Sequence, residues 1–408
     1  MPVITVFSGT FCNDEPVLQA LLQRTGYKLV SDADLIAEAG RLSSIPETKI
    51  DRAFSARPSV FNKITHERER SIAFLRLAVA RLQSDDNLVL SGFAGQLIPR
   101  DLSHVLRICL IADMKSRIAT ASAGLQVTEQ EAAKLIHKQE EDRAAWVRTI
   151  FNQNDPWDAS LYDMVFPTDK VTVDAIVGTV AEIVGTTVVR RTARSQRAIQ
   201  NFLLAAEVEI ALLQEGHQVT VEADEGAITL TINKHVLMLS RLENELKSIA
   251  GKVPGVHTVI TKVGAGFHQV DIYRRQDFSM PSKILLVDDE REFVQTLSER
   301  LLMRDMGSAV AYDGESALEV AREDEPDVMI LDLKMPGIDG IEVLRRVKTT
   351  QPEIEVIILT GHGSDADEKL CLQLGAFAYL QKPVDVEELS ATIKRANQKI
   401  QEKRAAKK

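Results

Sequence analysis

Cysteine is scarce: Cys12, Cys109 and Cys371 are far apart in 408 residues and odd in number. They argue against a disulfide framework or a zinc site and fit buried thiols in a reducing compartment. No uninterrupted apolar run reaches about 18 residues, so no membrane span is expected. The start, MPVITVFSGT, lacks the basic residues and apolar core of a secretory signal, and a cytoplasmic protein is expected. Positive charge is in deficit. Lysine and arginine number 49 against 59 aspartates and glutamates, a net charge of −10. Such a chain does not bind nucleic acid through its overall field, although a local basic patch is compatible with it. Internal repeats, low-complexity tracts and a DNA-binding helix-turn-helix pattern are all missing, so output by transcription is not expected.

What is present is ordinary globular material, with 45% hydrophobic and 26% charged residues. At roughly 100–200 residues per domain the length predicts two to four domains. Two polar stretches punctuate it: VVRRTARSQR at 188–197, after a helical pattern ending near Gly185, and RRQDFSMPSK at 274–283. The expected domains are 1–190, 196–278 and 281–400, followed by a basic, fraying helical end. The predicted fold class is multidomain α/β.

Residues 283–400 alternate apolar runs of strand length (KILLVDD, DVMILDL, EVIILTG, FAYLQKP) with amphipathic helical segments. That alternation predicts a parallel sheet covered on both faces, with its ligand site at the carboxyl ends of the strands. The polar residues at those ends are Asp288 and Asp289, Asp332, Thr360 and Lys382. Carboxylates converging on one crevice repel unless a cation neutralises them, and Mg²⁺ prefers such oxygen ligands. A carboxylate beside Mg²⁺ is a nucleophile for a phosphoryl group, with a lysine and a hydroxyl to stabilise the transferred oxygens.

The motifs VDDE, ILDLKMPGIDG, ILTGHG and AYLQKP resemble those of a two-component response-regulator receiver domain, a flavodoxin-like doubly wound (βα)5 fold. The resemblance implies Asp332 as phosphoacceptor. Asp288, Asp289, Asp332 and the backbone carbonyl of Lys334 would be the Mg²⁺ ligands, and Met335, Pro336 and Gly337 the turn after the acceptor. Thr360 becomes the switch hydroxyl, Lys382 the phosphoryl-pairing lysine, and Tyr379 an aromatic that swings inward when Thr360 moves. It also implies a sensor histidine kinase as phosphodonor, and a homodimer is a possible assembly.

At the other end, VITVFS reads as a buried strand, SGTFCNDEP as a tight loop and PVLQALLQRTG as a helix. Nucleotide-binding folds place a phosphate loop there. This loop has one glycine, Gly9, no Gly-Lys-Ser/Thr, and Asp14 and Glu15 at the helix start, which oppose phosphate. The segments LVSDADLIAEAGRL, DNLVLSGFAG, VLRICLIADMKSRI and TEQEAAKLIHKQEEDRAAWVRTIF nonetheless resemble the cytidylate-kinase-like family, a P-loop-kinase-like α/β fold, over about 1–185. The resemblance implies that Arg117, Arg143 and Arg148 face a nucleotide or phosphate. The damaged loop points to a retired kinase kept as a sensing or interaction domain for a nucleotide or small ligand. His66, in THERERSIAFL, reads as an exposed helical histidine rather than a phosphoacceptor.

Between them, 198–275 reads helix, strand, strand, helix, strand, with the second helix stopped by Pro254 and Gly255. This small αββαβ unit resembles a BON domain and carries no catalytic set. The whole reads as a bacterial response regulator, with no enzymatic activity expected beyond its own phosphorylation. The alternative is an active nucleoside monophosphate kinase regulated by its receiver.

Overall fold

The computed structural model describes residues 2–43, 45–83, 85–236, 238–268, 283–304, 306–361 and 363–406. The stretch RRQDFSMPSK and the boundaries expected at 278 and 281 thus lie almost wholly outside the described residues. The chain forms two compact units, one of residues 1–58 and 67–275, the other of 59–66 and 276–408.

The first unit begins with β1 (Val3–Ser8), α1 (Asp14–Thr25), β2 (Lys28–Ser31), α2 (Asp32–Ser43) and α3 (Glu47–Asp51). A one-turn helix, α4 (Asn62–Thr65), belongs to the second unit. The first then resumes with α5 (Glu67–Leu82), β3 (Leu88–Ser91), β4 (Val105–Ile111), α6 (Met114–Leu125), α7 (Glu129–Phe151), β5 (Met164–Pro167) and α8 (Val173–Gly185). Its five strands are all parallel, in the order β2-β3-β1-β4-β5. Their continuous apolar runs are covered on one face by α1 and α8 and on the other by α2 and α5. The sheet thus sets the carboxyl end of β1, and the loop after it, beside α6 and α7.

α9 (Ala193–Gln214) starts inside the stretch expected to be a linker, because Thr192 and Ser195 form a capping box. The helix presents two apolar faces. Ile199, Phe202, Ala206, Ile210 and Leu213 join the core around α5, whereas Val208 and Leu212 face a small sheet. Arg76 of α5 pairs with Glu209 at 2.5 Å. The small sheet comprises β6 (Thr220–Asp224), β7 (Ala227–Ile232) and β8 (Thr258–Val263), with α10 (Leu239–Ala250) before β8. β6 and β7 are antiparallel and β7 and β8 parallel, as the αββαβ reading requires. α10 ends at Ala250, four residues before Pro254, and Gly251 after it keeps right-handed helical angles (φ −66°, ψ −12°), its N–H donating to the Lys247 carbonyl.

The receiver part of the second unit runs β9 (Ile284–Val287), α11 (Arg291–Leu302), β10 (Ser308–Ala311), α12 (Gly314–Asp324), β11 (Val328–Leu331) and α13 (Gly340–Thr350). It closes with β12 (Glu355–Thr360), α14 (Asp365–Gln373), β13 (Ala378–Gln381) and α15 (Val386–Ala406). The five parallel strands are ordered β10-β9-β11-β12-β13. α12, α13 and α14 cover one face, and α11 and α15 the other. The flavodoxin-like expectation holds. The basic end expected to fray is helical through Ala406.

Candidate functional site

The register of the second sheet builds the site. Val287 stands opposite Leu331, and Asp332 N–H donates to the Val287 carbonyl at 2.9 Å, so Asp288 and Asp332 leave neighbouring strands side by side. Thr360 pairs in register with Gln381, and Lys382 N–H donates to the Thr360 carbonyl at 2.9 Å. The four strand ends therefore converge.

One carboxylate oxygen from each of Asp288, Asp289 and Asp332 lies within 4.8 Å of the others. Asp288 and Asp332 are buried and Asp289 is exposed, which leaves the cluster a solvent side. Lys382 Nζ donates to Asp288 Oδ2 at 2.6 Å, lies 3.8 Å from Asp332 Oδ2, and sits 4.3 Å from the centre of the Phe293 ring. Burial pushes the Asp288 carboxyl above its ordinary range, against the hydrogen bonds from Lys382 and the Glu290 N–H. Asp332 Oδ1 accepts from the Leu333 N–H at 2.8 Å, which fixes its rotamer. This all-oxygen donor set with one ammonium beside it suits a hard divalent cation such as Mg²⁺. Lys334 follows Asp332 by two residues, with its side chain exposed. Thr360 is 1% exposed at the end of β12.

Tyr379 packs inward in this conformation. Its ring already packs on the core, and its hydroxyl is buried against Gly363, where a Cβ would overlap it. Burial raises its pKa.

In the first unit, the loop after β1 is closed rather than cradle-shaped. Arg143 Nε donates to the Ser8 carbonyl at 2.7 Å, and Arg117 Nε to the Thr10 carbonyl at 2.8 Å. Arg117 also pairs with Glu140 at 2.5 Å. Both guanidiniums thus spend donors on loop oxygens where phosphate would compete. The Cys12 thiol fills the space over Gly9, 2.6 Å from where a Cβ would stand, and burial pushes its pKa up to about 11. Arg148 does not join this group: it is exposed and donates to Asn154 Oδ1 at 2.9 Å. His66 is not on an exposed helical face either. It is half-buried, with φ 47°, just after α4.

Asp32 was missed by the sequence reading. Its two oxygens accept from the N–H groups of Phe93 (2.7 Å) and Ala94 (2.9 Å). Burial pushes its pKa up to about 6. Gly92, at φ 119°, lies so close that any Cβ would overlap this carboxylate. The signal available was an aspartate at the end of the second strand and a Ser-Gly pair at the end of the third.

Two parts of the chain match known protein families. A response regulator receiver domain model matches residues 284–394, and a cytidylate kinase-like family model matches 3–170. The segment 284–394 is a response regulator receiver domain. Transcriptional regulatory protein CpxR of Escherichia coli strain K12 is 44% identical over 113 residues, 28% of this chain and 48% of that protein. The chain thus spans about half the length of the curated relatives it matches. A receiver domain protein from Clostridium thermocellum is 37% identical, covering 29% of this chain and 94% of that one, at TM-score 0.28. The receiver domain of a Luxo repressor protein from Vibrio parahaemolyticus is 24% identical, covering 32% and 98%, at TM-score 0.31. The two family models leave 171–283 between them, so the BON resemblance rests on element order alone. No helix among the described residues is long and apolar enough to cross a membrane.

Proposed function

We propose that this chain is a response regulator whose Asp332 accepts a phosphoryl group from a histidine kinase or a small phosphodonor. The observation that carries the reading is the gathering of the Asp288, Asp289 and Asp332 carboxylates with the Lys382 ammonium at one end of the sheet. Asp288, Asp289, Asp332 and the Lys334 carbonyl would hold Mg²⁺. Bound there, the ion supplies charge neutralisation between the carboxylates and the incoming phosphoryl oxygens. An Asp332 oxygen attacks phosphorus, a P–Oδ bond forms, and the bond from phosphorus to the donor's leaving group breaks. Lys382 then trades its contact with Asp288 for one with a phosphoryl oxygen, and the Thr360 hydroxyl offers a second donor. The domain division 1–190, 196–278 and 281–400 assigns this chemistry to the last part. The first serves as a sensing or interaction module, because its loop carbonyls already take the Arg117 and Arg143 donors. That observation disfavours the alternative of an active nucleotide kinase.

The test is acetyl phosphate with Mg²⁺. Intact-mass spectrometry should show one acid-labile phosphoryl group on the wild type and none on Asp332→Asn. Undiminished labelling of that variant overturns the assignment.

A further inference from the structure

The amino ends of the receiver strands, opposite the carboxylates, carry a second feature. The second unit is assembled from two pieces of chain, and the smaller is residues 59–66. Phe61 in that piece is 0% exposed and belongs to the same core as Leu285, Ala321 and Met329. Lys283, itself 5% exposed, places its ammonium 5.9 Å from the Phe61 ring centre and donates to the Asp324 carbonyl at 3.1 Å. The Val60 N–H reaches Asp324 Oδ2 at 3.5 Å. Ile64 lies over Gly307: a Cβ there would stand 2.5 Å from Ile64 Cγ2, and its three nearest atoms would all be those of Ile64. Lys283 and Gly307 immediately precede β9 and β10. Asp332 and Lys382 follow the other ends of β11 and β13. A four-residue strand of roughly 13 Å separates the two ends.

We infer that the base of the receiver sheet is a docking surface for residues 59–66 of this same chain, anchored by Phe61, and that its occupancy is independent of the state of Asp332. An aromatic side chain sunk in an apolar pocket and ringed by weaker contacts has the anatomy of an interface anchor. The occupant is covalently supplied, since the chain leaves the first unit after Pro58 and rejoins it at Glu67. That tethering keeps its effective concentration high, so modest contacts suffice. Phe61 shares its core with Met329 of β11 and, at its far side, with the Tyr379 ring, but the direct contacts through Val60, Ile64 and Lys283 lie at the amino ends of β9 and β10 and on α12 and include neither Thr360 nor Lys382.

Amide hydrogen exchange on the full chain tests this. In the wild type, the N–H groups of Ile64, Thr65 and His66, bonded within the segment, should be protected. The first carbon added by Gly307→Val meets Ile64, and the variant should speed their exchange at least about tenfold. Adding Ile64→Ala to that variant should restore protection. Phe61→Ser, which changes only the docked segment, should likewise release it and serves if Gly307→Val unfolds the receiver. Open-coil exchange of 59–66 in the wild type, or unchanged exchange in both variants, overturns the docking. Mg²⁺ with beryllofluoride should leave 59–66 unchanged, and its release would overturn the independence. That arm alone rests on the proposed acceptor chemistry. Failure of the acceptor chemistry itself would be seen separately, as absent labelling by acetyl phosphate in the mass assay on Asp332.

Discussion

The Asp32 carboxylate sits among buried groups with two backbone N–H donors, and burial outweighs those bonds, lifting its pKa from 3.8 to about 6. Because the folded value is raised, its contribution to stability is fully present below 3.8 and is lost as pH rises through about 6. Asp32→Asn removes that titration. In urea melts at a series of pH values, wild-type stability should therefore fall relative to the variant across this window. Parallel pH profiles would overturn the burial account. Lys382 shows the converse situation at the other site: a cation placed among carboxylates before any metal is added, so that the cluster is partly compensated in the folded chain.

α9 shows how one element can serve two cores. Its heptad-like set from Ile199 to Leu213 packs on α5, while Val208 and Leu212 support the small sheet. Phe202→Ala should cost about 3–5 kcal/mol, the usual range for emptying a buried aromatic site. Loss of exchange protection should appear in α5 as well as α9. If only α9 loosened, the packing would be local and the two elements not cooperative. At the same scale, β10 escaped the sequence reading because SAVA is short and built of small residues. Its place in the sheet comes from pairing with β9, not from its own propensity.

For the whole molecule, the expected output of phosphorylation is a change in association through the face formed by α14, β13 and α15. That face carries Glu387 and Glu388 alongside Lys394 and Arg395, a mixed charge suited to self-complementary pairing. Arg304 already pairs with Glu387 at 2.5 Å, so part of that charge is satisfied within the receiver. Light scattering of the full chain with Mg²⁺ and beryllofluoride should show a change of mass, or else hydrogen exchange should change around Tyr379 and Lys382. If neither responds, the receiver is a static docking module.

The sequence alone determined the receiver. Continuous apolar strands, each ending in a residue of the right chemistry, leave little freedom in a parallel sheet, so Asp288, Asp289, Asp332, Thr360 and Lys382 were legible from order and spacing. It also exposed the poor phosphate loop, since missing glycines and added acids are local facts. Tertiary structure decided what depends on partners distant in the chain. Arg117 and Arg143 reach loop carbonyls more than 100 positions away, whereas Arg148, on the same helix as Arg143, faces solvent. Asp32 meets N–H groups 61 and 62 positions on. Phe61 is buried in a core whose other members lie beyond residue 284. Periodicity along a helix or strand reports which face is apolar, but not which distant surface that face will meet.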